Sequence, residues 1–182
     1  RRQRQMCIRD SENTGETTTA SAYRKGLIQE GAEVVMARAG QVYQLGASTT
    51  LTIFSPASDP SMLETNTASI VAKVSYGDID FMLTGDAPQG IEKYLVTTYG
   101  TELQSEVLKL GHHGSKTSSS DEFLTAVAPR FAVASAGKDN RYGHPAVDVV
   151  ERLLTHEIPL LNTSEQGRIT FETNGVQVWR IE

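Results

Sequence analysis

Three times between residues 79 and 155, an apolar strand-like run ends in a polar loop and gives way to a helix. The runs are 79–83, 106–110 and 131–135. The loops that follow are Thr84-Gly85-Asp86, Gly111-His112-His113-Gly114-Ser115 and the stretch 136–144. Pro88, Ser120 and Pro145 open the helices, predicted to end near Thr98, Val127 and Thr155. Pro is pre-organised for a first helical turn, and Ser is a good cap. Helices between successive strands imply parallel crossovers, so this pattern requires an α/β sheet. In such a sheet the three loops share one rim, where ligands bind.

The flanking segments carry a different period. Leu51 and Ile53 alternate with Thr50 and Thr52, and Ile70, Ala72, Val74 and Tyr76 share one face of 69–76. Gly77-Asp78 and Asn174-Gly175 are hairpin turn signals, the second joining 168–173 to 176–181. Further strands are predicted at 34–37, 42–45 and 160–161, and a short helix at 21–30, with 57–67 as a loop. The run 79–83 is nearly all apolar and is expected to be buried on both faces. Antiparallel hairpins beside strand-helix units give an α/β domain with a mixed sheet.

The first eleven residues fit neither period. RRQRQMCIRDS matches the translation of a transposon-end sequencing adaptor, so residues 1–11 are set outside the fold and 12–182 are taken as the domain. The single cysteine, Cys7, falls in the excluded stretch, leaving no disulfide or thiolate metal site. Removing four Arg and one Asp from 17 basic and 22 acidic residues leaves 13 and 21, a net charge of −8. That balance argues against broad nonspecific binding to nucleic acid or anionic membrane. No apolar run approaches the length of a membrane span.

The chemistry-bearing residues concentrate in the three loops. Adjacent imidazoles in a Gly-flanked turn suit metal binding or general acid-base work. His112, His113 and His144 lie in these loops, while His156 reads as a surface residue at a helix end. Lys116, Lys138, Asn140 and Arg141 are placed to hold a phosphate. Each residue also has a plainer reading. Asp86 could cap the next helix, His144 could be a turn residue before proline, Ser115 to Ser120 could cap, and the cations could be solvated. A serine nucleophile is a poor alternative, because there is no G-x-S-x-G elbow. Together, a carboxylate, imidazoles and a Lys/Asn/Arg loop on one rim suit metal-assisted attack on a phosphoryl or carbonyl centre.

FMLTGD, LKLGHHGSKTS, ASAGKDNRYGHP and a terminal TxxxGxIxF-like hairpin over 163–171 resemble the C-terminal part of the metallo-β-lactamase-like domain of the ComEC competence family. The resemblance extends weakly upstream through ARAGQVYQLG, LTIFSP and NTAS to cover residues 12–182. It implies the C-terminal portion of an αββα sandwich, with a site for two metal ions, usually zinc, on the rim. Other divalent metals are compatible. Carried over, Asp86 bridges the metals and His112 ligates one. His113 is a further ligand, a supporting partner or a proton-transfer group. His144, beside Asn140, contacts substrate or leaving group. Ser115, Lys116, Asn140 and Arg141 are the candidate substrate contacts.

The resemblance lacks one part: the family's His-x-His-x-Asp-His motif occurs nowhere in the chain. It is expected upstream of residue 12, so the chain as given is expected to be inactive, poor at holding metal and unstable. Three functions follow as alternatives. One is a ComEC-like phosphodiesterase, a nuclease acting on incoming DNA in its sharpest form, within a membrane-embedded whole. The second is a stand-alone secreted or cytoplasmic hydrolase of a small phosphodiester or ester. The third is a degenerate binding domain. Compartment follows from that choice: membrane-associated or extracytoplasmic for the first, open for the others.

Overall fold

The punctuation by Gly and Pro places the elements close to their predicted bounds. The structure is a computed structural model describing residues 7–10, 18–31 and 33–181. It opens with β1 (Cys7–Asp10), α1 (Thr18–Glu30), β2 (Glu33–Met36), β3 (Val42–Gln44), β4 (Thr49–Ser55), β5 (Val71–Tyr76) and β6 (Ile79–Leu83). The alternating part comprises α2 (Gln89–Tyr99), β7 (Val107–Lys109), α3 (Asp121–Val127), β8 (Phe131–Ala134), α4 (Val147–Thr155) and β9 (Leu160–Asn162). A short α5 (Thr163–Gln166) and the hairpin β10 (Thr170–Thr173) and β11 (Val178–Ile181) complete it.

Seven strands form one mixed sheet in the order β3-β4-β5-β6-β7-β8-β9. Pairing is antiparallel from β3 to β6 and parallel from β6 to β9. The sequential order of β6 to β9 places the three helices on one face, since like-handed crossovers return to the same side. Phe54, Val71, Met82, Leu108, Ala132 and Ala134 of the sheet, and Leu110 just past β7, pack there against Leu95, Phe123, Leu124, Val127, Val149 and Leu153. On the opposite face, Ile79, Phe81, Val107, Phe131 and Val133 meet Phe171 and Val178 of the β10–β11 hairpin. The order of layers is therefore helix, sheet, hairpin, the α/β arrangement expected from the pattern.

The hairpin docks by a close backbone approach. The Asp78 amide donates to the Gly175 carbonyl at 2.6 Å. A Cβ on Gly77 would collide with that same carbonyl, so glycine is required where the two turns touch.

Three features depart from expectation. Cys7–Asp10, set outside the fold, pairs in parallel with Glu33–Met36. Strand pairing uses only backbone groups, and a free edge accepts any extended segment, whatever its origin. In β6, Ile79 and Met82 are buried, but Leu83 is 39 % exposed, because the hairpin cluster stops short of the rim. Local turns also appear where a loop or nothing was expected. Asp59 accepts from the Ser61 amide at 2.9 Å to start a helical turn at Pro60–Met62, and Asn162 accepts from the Ser164 amide at 3.1 Å to start α5. Among the described residues, no helix is long and apolar enough to cross a membrane.

Candidate functional site

The three loops do meet on one rim, and backbone hydrogen bonds join them. The His112 amide donates to the Gly85 carbonyl at 3.0 Å, and the Ala146 amide donates to the Gly114 carbonyl at 2.8 Å. The Thr84 hydroxyl adds a bond to the Lys109 carbonyl at 2.8 Å, tying the end of β6 to β7. The Asp86 amide donates to the Ser69 hydroxyl at 3.1 Å. Pro88, not Asp86, is the N-cap of α2, and among the described residues no side chain caps it. The plain capping role for Asp86 is therefore not used, and its carboxylate stays open to the rim at 40 % exposure.

The His-His turn is held in an unfavourable backbone conformation. His112 has φ 48° and ψ 45°, and His113 has φ 60° and ψ 19°. Two consecutive non-glycine residues in the left-handed region cost on the order of 1–3 kcal/mol each and persist only where their surroundings enforce them. Part of that enforcement is steric: Gly114 (φ +84°) abuts Pro145, where a Cβ would sit 2.8 Å from the proline Cβ.

This turn aims the two imidazoles differently. His113 Nδ1 lies 2.7 Å from the Ser135 carbonyl oxygen, which only accepts, so Nδ1 carries the proton. In the neutral ring the lone pair is then on Nε2, 3.8 Å from Asp86 Oδ1. That distance is too long for a hydrogen bond. Metal-ligating histidines commonly donate their second ring nitrogen to a backbone carbonyl in this way. The His112 ring makes a 3.5 Å contact from Nδ1 to the Thr117 hydroxyl, and its centroid lies 5.9 Å from that of His144.

His144 stacks on Tyr142, with centroids 5.9 Å apart and planes at 17°. Burial pushes its pKa down, helped by the neighbouring His112 and His113, which favours the neutral ring. Its Nδ1 is enclosed without a hydrogen-bond partner among the described residues. The ring borders a cavity of about 240 Å³ lined also by His113, Ser135, Ala136, Gly137, Asn140 and Tyr142.

The expected substrate contacts divide in two. Ser115 is buried, with its hydroxyl 3.0 Å from that of Thr117 and accepting from the Thr117 amide at 3.3 Å. Asn140 clamps its own loop: Oδ1 accepts from the His144 amide at 2.7 Å, and Nδ2 donates to the His144 carbonyl at 2.8 Å. Lys116 and Arg141 are exposed, Arg141 lying over the Tyr142 ring at 5.1 Å. Lys138 is exposed in the same loop.

Two charged residues that the sequence reading passed over lie behind the rim. Lys109 is half-buried at the end of β7; burial pushes its pKa down while the Asp86 charge opposes the shift. The clue was a lone lysine alternating with leucines in Val107-Leu108-Lys109-Leu110. Glu92 is 1 % exposed on the inner face of α2. Its clue was the spacing to Leu95, which puts a carboxylate on a buried face.

As a metal centre the rim is incomplete. Asp86 and His113 have suitable donor types and a suitable approach. Among the described residues, however, no group of three or more His, Cys, Asp or Glu side chains is arranged to hold an ion. Even a single catalytic zinc takes about three protein ligands.

The fold and rim thus define an α/β domain with a carboxylate and an imidazole facing each other at the strand ends. No family model matches the chain. It is 45 % identical over 114 residues to competence protein ComA of Neisseria gonorrhoeae, covering 63 % of this chain and 16 % of that protein. It is 34 % identical over 143 residues to ComE operon protein 3 of Bacillus subtilis, covering 79 % and 18 %. Recombination protein 2 of Haemophilus influenzae matches at 38 % over 104 residues, covering 57 % and 13 %. A solved structure from Parabacteroides distasonis is similar at a TM-score of 0.49 and 8 % identity, over 87 % of this chain and 76 % of its own. The resemblance drawn from the motifs is borne out: the chain is homologous to a segment of the ComEC-type competence proteins. It spans less than a fifth of the length of these relatives.

Proposed function

We infer that this chain carries part of the active site of a metal-dependent hydrolase that cleaves phosphodiester bonds. The observation that carries this reading is His113, with Nδ1 on the Ser135 carbonyl and Nε2 facing the open carboxylate of Asp86. Asp86 and His113 would hold the ion, with His112 adjacent to complete or support the set. A bound divalent ion supplies an activated water and steadies the leaving oxygen.

The chain's own residues orient the reaction. Ser135 fixes the tautomer of His113 and the direction of its lone pair. Asn140 fixes the backbone of His144, and Tyr142 stacks on its ring beside the 240 Å³ cavity. A neutral His144 there can contact a leaving group without drawing the phosphate itself. Exposed Lys116, Lys138 and Arg141 surround the rim and attract the phosphate's charge. The likeness to competence proteins favours DNA as substrate, whereas the net charge of −8 beyond residue 11 and the small cavity favour a small phosphodiester.

With two well-placed ligands, residues 1–182 alone are expected to bind zinc weakly and to turn over nothing. The test begins with the DNA upstream of the Glu12 codon, sequenced from an independent library. A His-x-His-x-Asp-His stretch close before Glu12 is expected. The chain extended to include it should bind zinc stoichiometrically and hydrolyse a phosphodiester, and Asp86→Ala should abolish both. An upstream sequence without those ligands, or an extended chain that binds no metal, overturns the reading. Comparing an oligonucleotide with bis(p-nitrophenyl) phosphate then separates the two substrates.

A further inference from the structure

Beyond the ligand pair, the segment carrying Asp86 is laced to the loop carrying the histidines along its length. Gly85 accepts from the His112 amide at 3.0 Å, and Ala87 accepts from the Ser118 hydroxyl at 2.8 Å. The Gln89 amide donates to the Thr117 carbonyl at 2.8 Å. The last tie is Glu92, whose Oε1 accepts from the Ser119 amide at 2.5 Å and whose Oε2 accepts from the Ser120 amide at 2.8 Å. These ties are spread along 85–92, and all but the first reach the exit of the loop at 117–120.

We propose that Glu92 is a positioning residue for the site: its buried carboxylate fixes the exit of the 111–120 loop and thereby holds His112 and His113 against Asp86.

Three observations carry this. First, a carboxylate at 1 % exposure is costly unless it is satisfied, and here both oxygens accept backbone amides. Second, the amides it holds belong to a turn that needs holding. Ser119 has φ 59°, in the left-handed region, and its own hydroxyl is buried without a partner among the described residues. Arg152 grips the other side of the same residue, Nη1 donating to the Ser119 carbonyl at 2.7 Å. Third, the loop closes on itself: the Ser118 amide donates to the Ser115 carbonyl and the Ser115 amide to the His112 carbonyl. A displacement at Ser119 therefore has a short path to the strained His-His turn. Glu92 touches neither substrate nor the ligand atoms, so it acts through the loop.

The inference rests on the proposed ligand role of Asp86 and His113, and the experiment separates the two. The full chain is compared with Glu92→Gln, whose amide would place N–H against N–H, and with Glu92→Asp, which keeps the charge on a shorter arm. Leu153→Ala, a core change in α4, serves as a destabilised control. Imidazole ¹⁵N signals of His112 and His113 are read at a temperature where each variant is folded, followed by titration with zinc alone. The expected result is displaced His112 and His113 signals in the Glu92 variants and zinc binding weakened by about tenfold or more. The control should keep native signals and zinc binding. Folded Glu92 variants with native histidine signals overturn the proposal, as does failure of both to fold, since Glu92 is then only a folding determinant. If the histidine signals move but the unaltered chain extended upstream shows no response to zinc, the ligand reading fails and the positioning role stands.

Discussion

His113 is oriented from two sides: Ser135 accepts from Nδ1 at 2.7 Å, and Asp86 Oδ1 stands 3.8 Å from Nε2. One contact fixes the tautomer, and the other leaves a gap wider than a hydrogen bond, which a cation between the two would close.

That gap gives the first prediction. Asp86→Asn removes the charge from a side chain that caps nothing and is open to solvent. Stability by urea denaturation should change by less than about 0.5 kcal/mol. Zinc-induced shifts of the His113 ring signals should be lost or sharply reduced. Unchanged zinc shifts would remove Asp86 from the ligand set.

Gly114→Ala tests the close approach of two site loops. The substitution puts a Cβ 2.8 Å from that of Pro145, at a φ of +84°. Both effects are unfavourable, and the expected loss is about 2–4 kcal/mol, measured by urea denaturation.

Asn140→Ala releases the His144 backbone from two hydrogen bonds. A loss of about 1–2 kcal/mol is expected. Hydrogen exchange at the His144 amide should accelerate. In the upstream-extended chain, the affinity for a phosphodiester that the proposed function expects should fall through disorder of the 136–144 loop rather than through loss of a phosphate contact.

Two carboxylates contribute limbs of opposite sign to the pH dependence. Burial, against the pull of the Ser119 and Ser120 amides and Arg152, raises the pKa of Glu92 above its ordinary 4.5. The native state then holds this proton more tightly than the unfolded chain, so its contribution to stability declines as pH rises from about 4.5 through the raised value. Asp121 is held below its ordinary 3.8, first by the hydrogen bond from His156, so its contribution is lost as pH falls through that lower range. Urea midpoints followed across pH should show both limbs. Glu92→Gln should flatten the upper one, and Asp121→Asn the lower.

Much of the fold was legible in local patterns. Alternating Leu51 and Ile53 marked β4, Gly77-Asp78 marked a hairpin, and Pro88 and Ser120 marked helix starts within one residue. These signals act within a few residues, where sterics and side-chain period decide conformation. The pairing of Cys7–Asp10 escaped such reading, because backbone pairing on an edge needs no side-chain pattern.

The sequence by itself determined that Asp86, the two adjacent histidines and His144 would share one rim, because each follows a strand and precedes a helix. Only the tertiary structure decided which imidazole faces the carboxylate, that Ser115 and Asn140 are spent on their own loops, and that Glu92 and Lys109 belong to the neighbourhood. The reason is distance along the chain. Ser135 lies 22 residues from His113, and Ser119 lies 27 from Glu92. Those contacts are set by the parallel register of β6, β7 and β8 and by the packing of α2 on them, which no local pattern encodes.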